Sequence, residues 1–335
     1  MVGRVGNGDQ ALTTILSRQS AALRAEVTRH TTEMTTGRHT DMGAAVDGDF
    51  SALAAIDHSL ARLKGYAANT SEAALFTDAM QTALGVIADG ATELASNILR
   101  SADLVSATSM DAVATDAIRT FETSIAALNT RFSERALFSG VSAETQPLPD
   151  PGTILSAIEA AITSAGASTV GDVQSAIADW FDDPLGYQAL YAGGGPRADV
   201  PVAAGETADL SVTARDPAIK DTLRGLATMA LLGRGLMAGQ VEARSDLAKA
   251  AGEDLLTGSE SRSHLMARVG TVQAQIAAAQ TRNTAEESAL SITRAGIISA
   301  DPYDAATRLE DLQTRIEALY LVTARVSRLS LADYL

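Results

Sequence analysis

Any chemistry in this chain would have to start from a handful of residues. Four histidines, His30, His39, His58 and His264, are the only imidazoles, and no cysteine accompanies them. Their spacing matches no zinc-type ligand set, which gathers its ligands at short fixed intervals. The acidic pairs Asp182-Asp183 and Glu286-Glu287 have no neighbour suited to act as a matched base, so acid–base catalysis lacks its second partner. Gly193-Gly194-Gly195 lacks the Lys-Ser/Thr of a phosphate loop, and Gly233-Arg234-Gly235 follows a helix rather than a strand. Both read as turns or helix breaks. No Gly-x-Ser-x-Gly elbow occurs, and without cysteine a thiol nucleophile is excluded. Trp180-Phe181, the one concentrated aromatic spot, reads as the core of a small middle domain. These residues imply no enzyme, no cofactor and no metal site.

The elements around them belong to a different kind of molecule. The chain has 335 residues, with 46% hydrophobic but only 4% aromatic side chains. That balance suits long helices packed through small residues. The net charge of −15 argues against nucleic acid or an anionic membrane as a partner. Residues 1–43 and 301–335 together carry nine Arg and ten acids, so nearly all of the net charge sits on 44–300. The ends are suited to burial and the body to water. No run reaches the ~20 apolar residues of a membrane helix, so no membrane insertion is expected. The start, Met1-Val2-Gly3-Arg4, lacks the apolar stretch of a cleaved leader.

Helical period dominates. The first arm is predicted over Asp9 to Thr36, with a stripe at Leu12, Leu16, Leu23, Val27 and Met34, and it breaks at Gly37. A loop follows over 38–49. From Phe50 to Ser101, Leu53, Ile56, Leu60, Leu63, Ala67, Thr70, Ala74 and Thr77 recur at steps of three and four. The phase then slips to Met80, Leu84, Ile87, Ala91, Leu94 and Ile98, which overwinds a coiled coil without ending it. A second helix is expected over Asp111 to Arg135, through Ile118, Phe121, Ile125, Leu128 and Phe132.

Gly140 to Gly152, with three prolines, marks a boundary. Short helical patterns follow over 153–183. Two alternating pieces, Asp199 to Val202 and Asp209 to Thr213, are expected to form a β-hairpin. Asp216-Pro217 restarts helix as cap and first-turn proline. A long seam then runs through 253–298, from Leu265 to Ile297, where Asn283 and Glu286 are polar positions that would fix register.

Asp301-Pro302 opens the last arm, with Leu309, Leu312, Ile316, Leu319, Val322, Val326 and Leu329 on one seam. A terminal helix frays unless something docks it, so each arm needs a partner, either the other arm or another chain. The expected fold is mainly α, with long coiled-coil-like helices formed by paired N- and C-terminal segments and a small mixed α/β insert. Its domains are an N-terminal arm (1–43), two halves of a helical core (44–140 and 215–300), a variable insert (141–214) and a C-terminal arm (301–335). The candidate assembly interface is Leu12, Leu16, Leu23, Val27, Met34, Leu309, Leu312, Ile316, Leu319, Val326 and Leu329.

These residues resemble the bacterial flagellin superfamily, and within it the hook–filament junction proteins. The N-terminal likeness runs through Met34-Thr35-Thr36-Gly37-Arg38, then Ala52-Leu53-Ala54-Ala55-Ile56, then Asn69-Thr70 to Ala83-Leu84. The family's loop commonly has adjacent acids, whereas here they are split as Asp47-Gly48-Asp49. Leu137-Phe138-Ser139-Gly140 resembles the junction proteins' exit from the second helix. The sharpest likeness is Asp301-Pro302-Tyr303-Asp304-Ala305-Ala306-Thr307-Arg308-Leu309, followed by Ser327 to Asp333-Tyr334-Leu335. Filament flagellins end instead in a short leucine-serine run.

The resemblance covers about 1–140 and 215–335. It implies export through the flagellar type III apparatus and a place in the bacterial flagellum at the hook–filament junction. The implied partners are copies of itself in a ring, the adjacent hook-associated junction protein, flagellin and an export chaperone. A filament-forming flagellin is the nearest alternative, and a cytosolic helical adaptor a more distant one.

Overall fold

A computed structural model describes residues 7–102 and 107–332, with side chains over 11–101 and 108–325. The fold is mainly α, with two small two-stranded sheets among the described residues. It divides into two compact units, Met1–Leu63 with Ala285–Leu335, and Lys64–Thr284.

The first unit holds α1 (Asn7–Thr36), the single turn α2 (Met42–Ala45), and the start of the long helix α3 (Ser51–Ala102). It also holds the end of α10 (Ser259–Ile298) and all of α11 (Pro302–Ala332). Here α1 packs along α11. Ile56 and Leu63 are buried on α3, and Arg294 Nε meets Asp57 Oδ1 at 2.6 Å between α10 and α3. The apolar steps of three and four that predict α3 and α10 hold along both helices. Beyond Asn283, however, the α10 seam fades: Glu286 and Thr293 are exposed, and Leu290 and Ile297 are half-buried.

The second unit contains one continuous apolar core. Met80, Leu84, Ile87, Leu94 and Ile98 of α3 enter it, as do Leu265, Val269, Val272 and Ile276 of α10. Helix α4 (Ala107–Leu128) buries Phe121, Ile125 and Leu128, and packs on α8 (Pro217–Gly233). Every residue of α8 from Gly225 to Leu232 is buried, as expected of a helix apolar on all sides. The middle segment joins the same core through α5 (Pro151–Ser164), α6 (Val170–Asp182) and the turn α7 (Tyr187–Leu190). Trp180 and Phe181 meet edge-on at 5.0 Å, and Tyr187 stacks on Phe181. The Tyr187 hydroxyl donates to the Ala214 carbonyl at 2.8 Å.

Helix starts follow their caps. Asp150, Asp216 and Asp301 each precede a proline, and each accepts from the backbone N–H two residues on, at 2.9, 3.1 and 2.8 Å. Thr169 and Asp172 complete a capping box on α6. At the far end of α9 (Val241–Thr257), the buried guanidinium of Arg262 donates to the Leu255 carbonyl at 2.8 Å. It caps the last turn with a positive charge, while burial pulls its pKa down.

Three expectations need correction. Helix α4 ends at Leu128, not Arg135, because Ser133 and Glu134 take left-handed backbone and fold 131–136 into a minimal hairpin, β1 (Arg131–Phe132) with β2 (Arg135–Ala136). The larger hairpin is β3 (Val200–Ala203) with β4 (Glu206–Ala208). Its turn is Ala204-Gly205, so the second strand begins three residues before Asp209. Leu210 and Val212 are buried without a strand partner. Helix α9 also separates from the long seam of α10 and breaks at Gly258.

Asn283 does not set a helix–helix register. Its buried amide donates to the Val202 carbonyl at 2.8 Å and, with Asn69 on Pro201 (2.9 Å) and Gln275 on Thr207 (3.0 Å), it clamps the hairpin to both long helices.

Candidate functional site

The residues singled out for chemistry are placed as structural parts. His58 and His264 are exposed, and His39 sits in the turn after α1. Asp182 pairs with Lys220 at 2.9 Å, and that hydrogen bond holds its carboxyl below the usual range. Asp183 accepts from the Leu185 N–H, while Glu286 and Glu287 are exposed. The triple glycine forms a turn pressed against Ser139 to Val141: Gly140 has φ +62°, and a Cβ there would lie 2.0 Å from the Gly195 carbonyl oxygen. Among the described residues, no group of three His, Cys, Asp or Glu could hold a metal ion.

The arm pair is the remaining candidate. Leu16, Leu23 and Val27 of α1 are half-buried, while Leu12 and Met34 are 39% and 40% exposed. On α11, Leu312 is buried and Leu309, Ile316 and Leu319 are half-buried. Val326 and Leu329 lie outside the residues whose side chains are described. Arg24 Nη2 donates to the Tyr320 hydroxyl at 2.6 Å and ties the two arms together. Each arm is thus the other's internal partner.

The pairing leaves much apolar surface in water. Ile15 is 58% exposed and Leu321 69%, with Tyr320 and Val322 beside it about half exposed. Ile15, Tyr320 and Leu321 were outside the predicted stripes. The four consecutive apolar residues Leu319 to Val322 were the signal, because such a run wraps a helix on all sides.

At the joint between arm and long helices, the chain is held by backbone. Gly37, at φ +65°, ends α1, and Arg38 pairs with Ser299 as an isolated antiparallel bridge. The His39 N–H donates to the Ile298 carbonyl and the Ala300 N–H to the Gly37 carbonyl, both at 3.0 Å. Beneath this turn His30 and Glu33 are buried in contact, Nδ1 to Oε2 2.8 Å, and Glu33 Oε1 also accepts from the Thr40 N–H at 3.1 Å. Burial alone would raise the Glu33 pKa, but the Thr40 amide, the His30 ring and Arg29 outweigh it and hold the carboxyl below its ordinary value. A cleft of about 270 Å³ opens onto these residues.

Residues 259–335 match the family model described as the bacterial flagellin C-terminal helical region. The matched residues include α10 and α11. Among solved structures, the chain is similar to the crystal structure of FlgL from Bacillus cereus. Identity is 13%, covering 71% of this chain and all of that one, with a TM-score of 0.45. It is also similar to a putative flagellar hook-associated protein from Vibrio parahaemolyticus, at 17% identity, 73% and 92% coverage, and a TM-score of 0.43. No curated protein matches it.

Proposed function

We propose that this protein is a structural subunit of the bacterial flagellum. It is exported through the flagellar type III apparatus and assembles as a ring joining hook to filament. The observation that carries this reading is the arm pair, two helices that meet and still expose Ile15 on α1 and Tyr320, Leu321 and Val322 on α11, the latter in a segment that matches the flagellin C-terminal region. Apolar surface of this kind on long paired helices is material for packing against further copies.

In this reading 1–43 and 301–335 form the terminal coiled-coil domain, 44–140 with 215–300 the helical core, and 141–214 the variable insert. The Asp301 to Leu309 motif and Leu137-Phe138-Ser139-Gly140 favour a junction subunit over a filament flagellin. The ring would contact the neighbouring hook-associated protein and flagellin, and a chaperone would escort the subunit before export. The protein acts by packing, not catalysis.

The test is localisation on flagella sheared from a motile culture, alongside a strain carrying only Ile316→Asp. The wild-type subunit is expected at the distal end of the hook in ring stoichiometry. The variant, with a charge forced into the arm seam, is expected to be exported but not incorporated. Normal filaments on the variant strain would refute the reading, as would a wild-type protein confined to the cytoplasm. A subunit repeated along the whole filament would reassign it as a flagellin.

A further inference from the structure

In the unit formed by 1–63 and 285–335 the apolar core is shallow, yet two polar side chains are buried nearly as deeply as its best apolar ones. His30 and Glu33 are each 6% exposed. The Arg29 Nη2 lies 3.2 Å from His30 Nε2, and a guanidinium only donates. Nε2 therefore accepts, and Nδ1 carries the proton that is donated to Glu33. One neutral tautomer satisfies both contacts. The second Glu33 oxygen holds the Thr40 N–H, and Thr40 belongs to the turn that bonds to Ile298 and Ala300. One carboxylate thus ties the last turns of α1 to the joint. Gly37, the residue on which that joint bends, has nothing within 4 Å of where a Cβ would sit.

We propose that Glu33 is an acid-released latch of the N-terminal arm. As a carboxylate it holds His30 and Thr40 together, and as a carboxylic acid it lets go and frees the turn to re-orient about Gly37. A proton added at Oε2 sets an O–H against the Nδ1–H and breaks the His30 contact, and the uncharged carbonyl left at Oε1 is a weaker acceptor for the Thr40 N–H than the carboxylate was. The charged and titratable groups facing Glu33 across the cleft are Arg29 and His30 on α1, His39 and Asp41 in the turn, and Asp304 and Arg308 on α11, with Asp301 at its cap. The open cleft gives protons a path.

The folded pKa of Glu33 lies below its ordinary 4.5, so the latch is complete above that value. It is lost as the pH falls through the lower folded one. The inference concerns this chain alone and stands or falls independently of the flagellar assignment.

Site-resolved hydrogen exchange on the full chain tests it, comparing protection of the Thr40, His39 and Ala300 amides with that of Leu226 in α8. In the wild type, Thr40 protection is expected to fall severalfold between about pH 6 and about pH 2.5, while Leu226 holds. Glu33→Gln, the uncharged shape analogue of the acid, sets an N–H against the Nδ1–H in the same way and has no proton to gain, so its Thr40 protection should sit at the low-pH wild-type level at both values. Glu33→Ala should be unprotected at both values. An equal fall in Glu33→Gln overturns the proposal, as does an unchanged Thr40 in the wild type or a fall shared by Leu226.

Discussion

The two units of this chain treat their apolar side chains in opposite ways. In Lys64–Thr284 the long helices, the middle segment and α8 close on one extensive core, and six large apolar groups among the described residues are left exposed around it. Among the described residues of the arm unit, the buried apolar side chains are Ile56, Leu63, Ala300, Ala305 and Leu312, two of them alanine. Against those five stand nine large apolar residues left exposed, among them Ile15, Ile292, Tyr303 and Leu321. A pair of helices can hide only one stripe of each, so the rest of the arc stays wet until something else covers it. One unit encloses its core within the chain, and the other leaves much of its apolar surface in water.

Substitutions can break or sharpen that contrast. The largest effect is expected in the finished core: Phe121→Ala should cost about 3–5 kcal/mol, read as a lower urea midpoint. Leu312→Ala, the matching cut in the arms, should leave the melt of the 64–284 unit in place. Equal losses from the two would erase the distinction.

A middle-sized effect is expected at Tyr187, where Phe removes the hydroxyl that satisfies the Ala214 carbonyl, at about 1–2 kcal/mol. Burial pushes this phenol far above its ordinary pKa. Its share of the stability is therefore complete below about pH 10 and lost as the pH rises past that. A spectrophotometric titration should find Tyr187 silent until the unit unfolds. The smallest effect is expected for Asn283→Ala, about 1 kcal/mol, which leaves the Val202 carbonyl without its donor. Exchange should quicken over 200–208 with no change in the arms.

Sequence made the long helices plain, because Leu53 to Ile98 and Leu265 to Ile276 repeat at helical spacing whatever surrounds them. The Asp-Pro caps at 150, 216 and 301 are equally local, each needing only its own acid and proline to mark a helix start. The hidden features depend on distant chain. Ser133 and Glu134 turn the β1–β2 hairpin through backbone left-handedness that neither side chain announces. The buried stripe of α9, Leu247, Ala248, Ala251 and Leu255, is half alanine and gives a weak period. The β4 strand is set by its turn at Gly205, not by the stronger alternation from Asp209 onward.

At the candidate interface the stripe of α11 was legible, but its exposed flank was not, since a period identifies a seam and not what covers the remaining surface. The His30–Glu33 spacing was visible too. Its burial was not, because that depends on residues 37–41 folding back over it.

Hydrogen exchange on the free chain in dilute solution tests the central contrast most directly. Amides of α11 from Leu309 to Arg325 should exchange at least ~100-fold faster than those of α8 from Gly225 to Leu232, because little packing opposes local opening of the arm. Protection of the isolated arm equal to that of α8 would contradict the account.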